Sequence, residues 1–157
     1  MSQAMEEQWF DQMLQRQGKD AYHFVICLRE DGRPIGTLGL FDIDEVNGHA
    51  GIGITIGEKQ LWGRGYGTDA MNALVDFGFG MLRFERMWLD VYDFNARARR
   101  SYEKAGFVVE GTKRHEVYKR GRYYDAVLMS ILRDEWLSIS RRRSWDYDED
   151  LPDPDMS

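Results

Sequence analysis

Gly57-Glu58-Lys59-Gln60-Leu61-Trp62-Gly63-Arg64-Gly65-Tyr66-Gly67-Thr68-Asp69-Ala70 lies between an apolar, strand-like run and an amphipathic, helical one. Glycines at 63, 65 and 67 let backbone N–H groups approach a ligand closely, and the helix that opens behind them turns its positive end to the same place. Such a stretch is an anion cradle. Thr68 adds a hydroxyl donor, and Arg64 adds a guanidinium able to grip phosphate in a forked geometry. Glycines at a strand-to-helix junction also serve as a plain tight turn. Three alternate glycines, with a cation among them and a hydroxyl behind, favour phosphate.

Upstream, Tyr22 to Arg29 and Ile35 to Ile43 read as strands around the turn Asp31-Gly32-Arg33-Pro34, and a second turn, Asp44 to Gly48, leads into Ala50 to Ile56. In that third strand Ile52, Ile54 and Ile56 share one face. Gly51, Gly53 and Gly57 leave the other nearly bare, as if something flat lay against it. Downstream, Ala70, Leu74, Gly78 and Met81, joined by Met71, Val75 and Leu82, predict an amphipathic helix over 66–82, and Arg86 to Tyr92 reads as a strand. Strand, helix, strand of this length is a crossover unit with two parallel strands side by side, and ligands gather at the end where the glycines sit.

Asn95 is placed to cap a short helix that Gly106 ends. Phe107 to Val117 and Tyr123 to Leu132 form a hairpin around Lys119-Arg120-Gly121-Arg122, with a helical turn over Glu135 to Ile139. At the start, Met5, Trp9, Met13 and Leu14 give a helix over 3–17. The fold class is therefore α/β of the α+β kind: a mixed, mostly antiparallel sheet with a central parallel pair, flanked by helices.

At 157 residues the chain is long enough for one domain with a proper core, over 1–140. Residues 141–157 carry three arginines against six acids, an acidic tail expected to be flexible or loosely docked, with Trp145 and Tyr147 as docking handles. The formal charge of −6 argues against a nucleic-acid partner, and no apolar run approaches the ~20 residues of a membrane span. One cysteine, Cys27, in an apolar stretch and no signal segment point to a cytoplasmic protein without disulfides or a metal site.

Gly65, Gly67 and Ala70 also satisfy the dinucleotide pattern G-x-G-x-x-G/A, with Glu85 and Asp90 near the place of a ribose-binding acid. Context rejects that rival: antiparallel strands come first, and seven residues separate Gly57 from Gly65. Nor is there a P-loop string. What the residues do resemble is the GNAT superfamily of acetyl-CoA-dependent N-acetyltransferases. There, [RQ]-x-x-G-x-[GA] is followed by N-x-x-A-x-x-x-Y-x-x-x-G-F; here Trp62-Gly63-Arg64-Gly65-Tyr66-Gly67 is followed in register by Asn95, Ala98, Tyr102, Gly106 and Phe107. The chain is most similar to the subgroup of ribosomal-protein N-terminal and spermidine acetyltransferases, to which Glu110-Gly111, Gly121-Arg122-Tyr123-Tyr124-Asp125 and Met129 also correspond.

The resemblance implies that amides from Gly63 to Thr68, Arg64 and Tyr66 included, hold the pyrophosphate of coenzyme A. It implies that the parallel strands splay, so that the pantetheine arm pairs with backbone near Ile54 and Ile56. Asn95, beside Ala98, would bind the arm or simply cap its helix, and Arg64, Arg97, Arg99, Arg100 and Lys104 would gather positive charge near the phosphates. Tyr102 would protonate the departing thiolate or only pack its ring. A phenol at ~10 against a thiol at ~8.5 makes that transfer slightly uphill unless the site lowers the phenol or water helps.

Two departures stand out. Trp62 replaces the first motif residue and removes a polar contact, and Ala50 stands where an acid is common, so the general base is unassigned among Glu116, His115, His49, Asp125 and a water chain. Strand alternation sends His115 and Glu116 to opposite faces, as a solvated surface pair. A strand and helix usual before residue 3 are also missing, so the start is clipped or a second chain supplies that wall, which makes a homodimer an expectation. The reading is transfer of acetyl from acetyl-CoA to a primary amine (polyamine, protein N-terminus or another small amine) in a ternary complex. An amino sugar or aminoglycoside is a further acceptor class, and a non-catalytic acyl-CoA-binding module is the rival. Trp9, Phe10, Tyr118, Tyr123 and Tyr124 line an acceptor pocket or, the favoured account, pack core and strands.

Overall fold

The computed structural model describes residues 20–146. The helix expected over 3–17, with Trp9 and Phe10, and residues 147–157 of the tail lie outside the described residues. Six strands, β1 (Tyr22–Cys27), β2 (Pro34–Asp44), β3 (His49–Ile56), β4 (Arg86–Tyr92), β5 (Val108–Lys119) and β6 (Arg122–Leu132), form one sheet in the order β1-β2-β3-β4-β6-β5. Helix α1 (Tyr66–Asp76) connects β3 to β4, α2 (Ala96–Lys104) connects β4 to β5, and α3 (Arg133–Ser138) follows β6. The β3–β4 pair is parallel and its neighbours are antiparallel. The expected mixed sheet with a central parallel pair is what forms.

Both helical crossovers join parallel strands, because β4 and β5 are each antiparallel to β6. Right-handed connections that run the same way along a sheet put their helices on the same face. The burial agrees: Met87, Leu89 and Val91 of β4 share one core cluster with Met71, Leu74 and Val75 of α1, Ala98 and Tyr102 of α2, and Trp136 of α3. The alternate residues of β4, Trp88, Asp90 and Tyr92, belong to the opposite face.

Three sequence expectations change in tertiary context. The bare glycine face of β3 is covered by the chain itself: a Cβ on Gly51 would fall 2.6 Å from the Phe41 ring and 2.9 Å from Trp88, which meet edge to face at 5.5 Å. The flat object is that aromatic pair. Second, the helix predicted over 66–82 is α-helical only to Asp76 and widens into a π-turn over Phe77–Met81, with Leu82 N–H donating to the Phe77 carbonyl. Gly78 and Gly80 allow it, since a Cβ at either would lie within 2.6 Å of Met87 or Trp145. The wider turn shifts the helical phase, so Met81, expected in the apolar stripe, is 67% exposed and Phe79 is buried instead. Third, the β5–β6 register shifts between Lys113 and Val117, and His115 takes a positive φ of 53°, so simple alternation does not set its side chain. His115 and Glu116 are both exposed, as a surface pair would be.

Residues 141–146 of the tail are seated on the helical face. Asp76, fully buried at the end of α1, accepts from Trp136 Nε1 at 2.8 Å, from the Arg141 guanidinium at 2.7 and 3.0 Å, and from both the amide and hydroxyl of Ser144 at 2.7 Å. Burial alone pushes this carboxyl upward; the bonds from Arg141, Trp136 and Ser144 together hold it below its ordinary 3.8. A lowered native value means the stabilisation is complete above the unfolded value and disappears as pH falls through the native one. Asp76→Asn is expected to cost about 3 kcal/mol in urea unfolding at pH 7, because Arg141 is left partly buried without its counter-charge. The gap between variant and wild type should close in acid, well below pH 3.8.

Candidate functional site

The parallel ladder is short. It pairs His49 with Arg86, Ala50 with Met87 and Gly51 with Trp88, and it begins where Gly48 O accepts from the amides of Glu85 and Arg86. Beyond Gly51, β3 stays paired to β2 as far as Ile56, and β4 stays paired to β6 as far as Tyr92, so the two strands diverge. Gly57 N–H bonds to Ile35 O on β2 at 3.0 Å. In an antiparallel ladder the next residues in turn face the other way, so backbone groups of Ile56 and Ile54 point into the opening.

At the mouth of this opening, α1 begins at Gly65, whose φ of +86° lies in the left-handed region and which offers no side chain to cap the helix. The first bond into the helix is Asp69 N–H to Gly65 O, so among the described residues the amides of Tyr66, Gly67 and Thr68 have no hydrogen-bond partner. Free first-turn donors at the positive end of a helix are the geometry an anion site requires. Gly67 sits close to both walls, its would-be Cβ 3.6 Å from Ile56 and 3.8 Å from the Ser101 hydroxyl.

A cleft of about 590 Å³ follows the opening, between the edge of β3, the glycine loop and α2. Of the residues singled out from sequence, Ile54, Ile56, Gly63, Gly65, Gly67, Thr68, Asn95, Ala98, Tyr102 and Lys104 all line it. Arg64 is exposed and does not line it, while Tyr66 lines a separate apolar hollow of about 500 Å³ between β1 and α1. Among the described residues the lining includes Arg97, Arg100 and Lys104 and no carboxylate or imidazole, so the electrostatics favour an anion. Arg99 points elsewhere, paired with Glu103 at 3.1 Å. His49, Glu116, His115 and Asp125 lie off the cleft; Asp125 accepts from the His115 amide at 2.8 Å. Ala50 is fully buried in the ladder.

Sequence reasoning missed Ser101, which lines the cleft and shares a 3.0 Å hydrogen bond with Thr68, tying α2 to the first turn of α1. Its position directly before Tyr102 was the available signal. Trp62 does not leave its place apolar, as expected, but replaces the lost polar contact: its indole N–H donates to Ile56 O at 2.9 Å, and the Arg97 guanidinium lies 3.6 Å from its ring. Loop, strand and α2 are thereby joined at the cleft mouth.

Asn95 is a helix cap, its Oδ1 accepting from Ala98 N–H at 3.2 Å, and it also lines the cleft. Tyr102 is half-buried, its ring 6.3 Å from Phe107. Burial raises its phenol above the ordinary 10.0, opposite to the lowering that easy proton transfer asks for. In the free protein it is a neutral hydrogen-bond donor. Among the aromatics offered for an acceptor pocket, Tyr118 stacks edge to face on Tyr123, Tyr123 lies against His115, and Tyr124 packs on Phe94. All three lie on the hairpin side, with Tyr118 and Tyr123 exposed, and none lines this cleft. No group of three or more metal-ligating side chains, and no helix long and apolar enough to cross a membrane, occurs among the described residues.

Residues 1–108 match the acetyltransferase (GNAT) domain family. The chain is 30% identical over 129 residues to an uncharacterized, prophage-derived N-acetyltransferase of Bacillus subtilis (strain 168), a match that takes in 82% of this chain and 70% of that protein. It is 33% identical over 108 residues to the spermidine N(1)-acetyltransferase of Escherichia coli (strain K12), covering 69% of this chain but only 58% of that protein. The crystal structure of spermidine N-acetyltransferase from Vibrio cholerae in complex with CoA and spermine superposes with a TM-score of 0.80 at 27% identity, covering 88% of this chain and 79% of that one.

The cradle yields a direct test. A side chain at Gly65 would meet no atom within 4 Å, so Gly65→Glu keeps the fold at the modest strain of a left-handed non-glycine residue, about 1–2 kcal/mol, while placing a carboxylate among the free amides. Titration calorimetry with coenzyme A is expected to give no measurable binding for this variant; an unchanged affinity would refute the anion cradle.

Proposed function

This chain belongs to the GNAT acetyltransferase family, and we propose that it transfers the acetyl group of acetyl-CoA to a cationic primary amine, by direct attack within a ternary complex. The observation that carries this reading is the cleft in which the open edge of β3, the uncapped start of α1 and three cations converge with no acid. Coenzyme A has the matching parts: a pyrophosphate for the amides of Gly63 to Thr68, an amide-bearing arm for the backbone of Ile54 and Ile56 and for Asn95, and further phosphate charge for Arg97, Arg100 and Lys104. A CoA-bound relative of the same fold supports it.

In the reaction the amine nitrogen attacks the thioester carbonyl carbon, the carbon–sulfur bond breaks, and an ammonium acceptor gives up two protons overall. One ends on the departing sulfur and one in solvent. Tyr102 is the proposed donor toward the sulfur: kept neutral by burial, it hydrogen-bonds developing thiolate charge and passes its proton as the amine's proton returns through water. Among the described residues no carboxylate or imidazole lines the cleft, and the route proposed for the second proton is through solvent. The acceptor class is read from the polyamine-acetylating relatives and the chain's net charge of −6. A cytoplasmic location and a homodimer complete the proposal. The dimer draws support from edge strand β5, which exposes Val108, Val109 and Tyr118.

The test is an amine screen with acetyl-CoA, read by free-thiol formation and product mass. Polyamines and N-terminal peptides are expected to turn over; binding of acetyl-CoA with no thiol release for any amine would favour a sensing module. Tyr102→Phe is expected to lower kcat by about a hundredfold with little change in the KM for acetyl-CoA. Because the phenol is raised above 10.0, no fall in kcat assigned to Tyr102 should occur between pH 7 and 9.

A further inference from the structure

We propose that the acceptor's ammonium group is held on the face of the splay opposite the helices, between the Asp90 carboxylate and the Trp88 ring, in the place where Lys113 Nζ sits. This rests on the acetyl-transfer reading and names side chains for its second substrate. The donor cleft lies against α2 on the helical face, and among the described residues its lining offers an ammonium no acid. The second substrate therefore needs another approach to the vertex of the opening. Trp88 is the last residue of β4 in the parallel ladder, and Asp90 is the next residue beyond it on the opposite face. Asp90 is thus the first carboxylate past the point where the strands part.

Lys113 demonstrates what this place accepts. Its Nζ donates to Asp90 Oδ2 at 2.9 Å and lies 5.7 Å from the centre of the Trp88 ring, a primary ammonium between a carboxylate and an aromatic face. An ordinary cross-strand pair joins register partners on adjacent strands. Here Lys113 of β5 is registered with Ala126 and Asp90 of β4 with Leu128, so the side chain spans the whole of β6 on a diagonal. Gly111, opposite Leu128, places no side chain beneath that reach. Donating its hydrogen bond to Asp90 raises Lys113 above its ordinary value and keeps the occupant charged. Both partners remain partly exposed, at 40% and 28%, so solvent-borne amines can compete for the carboxylate. Phe41, edge-on to Trp88 and 36% exposed, continues an apolar wall along which the methylene chain of a diamine can lie.

The experiment is steady-state acetylation of a series of linear diamines and polyamines by the full chain, its Asp90→Asn variant and its Lys113→Gln variant, with thermal unfolding of each. Lys113→Gln vacates the place and is expected to lower the acceptor KM severalfold. Asp90→Asn is expected to raise it about tenfold, with a smaller loss in kcat and an unchanged KM for acetyl-CoA. A merely structural pair would instead shift the melting temperature and both Michaelis constants together, and that outcome overturns the assignment. So does turnover in which the acceptor KM is the same in all three proteins. Absence of thiol release from the wild type with every amine defeats the acetyl-transfer reading itself, and this assignment with it.

Discussion

The divergence of two parallel strands after three paired residues is the constraint on which the rest of this molecule depends. The ladder ends at Gly51, where Phe41 and Trp88 close edge to face above its bare backbone and a Cβ would already collide. From that point each strand keeps one hydrogen-bonded neighbour and offers its other edge to the gap. An exposed row of carbonyls and amides is ordinarily a hazard in a β-protein. In this fold the row faces the start of α1, which has no side-chain cap, so the open edge of β3 and the free first-turn amides of the helix meet the same space.

The electrostatics of that space run against those of the chain. With a formal charge of −6 the protein as a whole attracts cations, yet the cleft gathers Arg97, Arg100 and Lys104 and, among the described residues, no acid. A local field of this sign suits an anionic ligand. Trp62 shows how a departure from a family pattern is absorbed. The indole bonds the end of β3 and carries a guanidinium on its ring, two contacts of different chemistry at one position.

Precision at the cleft also depends on what lies behind it. Asp76, at the far end of α1, gathers the indole of Trp136, the guanidinium of Arg141 and the backbone and hydroxyl of Ser144 on one buried carboxylate. The π-turn that follows lets Gly78 press against Met87 and Gly80 against Trp145. Helix α1 is held at one end by a charge network and left open at the other, the arrangement a pre-formed anion site requires.

The order of the elements, the parallel pair and the glycine cradle were legible in the sequence, because they follow from hydrophobic period, turn residues and the conformational freedom of glycine, which are local properties. The motif residues from Ile54 to Lys104 fall together for the same reason: fixed spacing on a strand, a loop and two helices decides which side chains share an end of the sheet. Tertiary structure alone decided the rest. Which object covers Gly51, where the helical phase shifts at Phe77, how Lys113 crosses β6 to reach Asp90, and whether Arg64 enters the cleft all depend on contacts between residues distant in the chain. Such contacts are set by packing of particular volumes and charges, and no period or spacing along the chain records them.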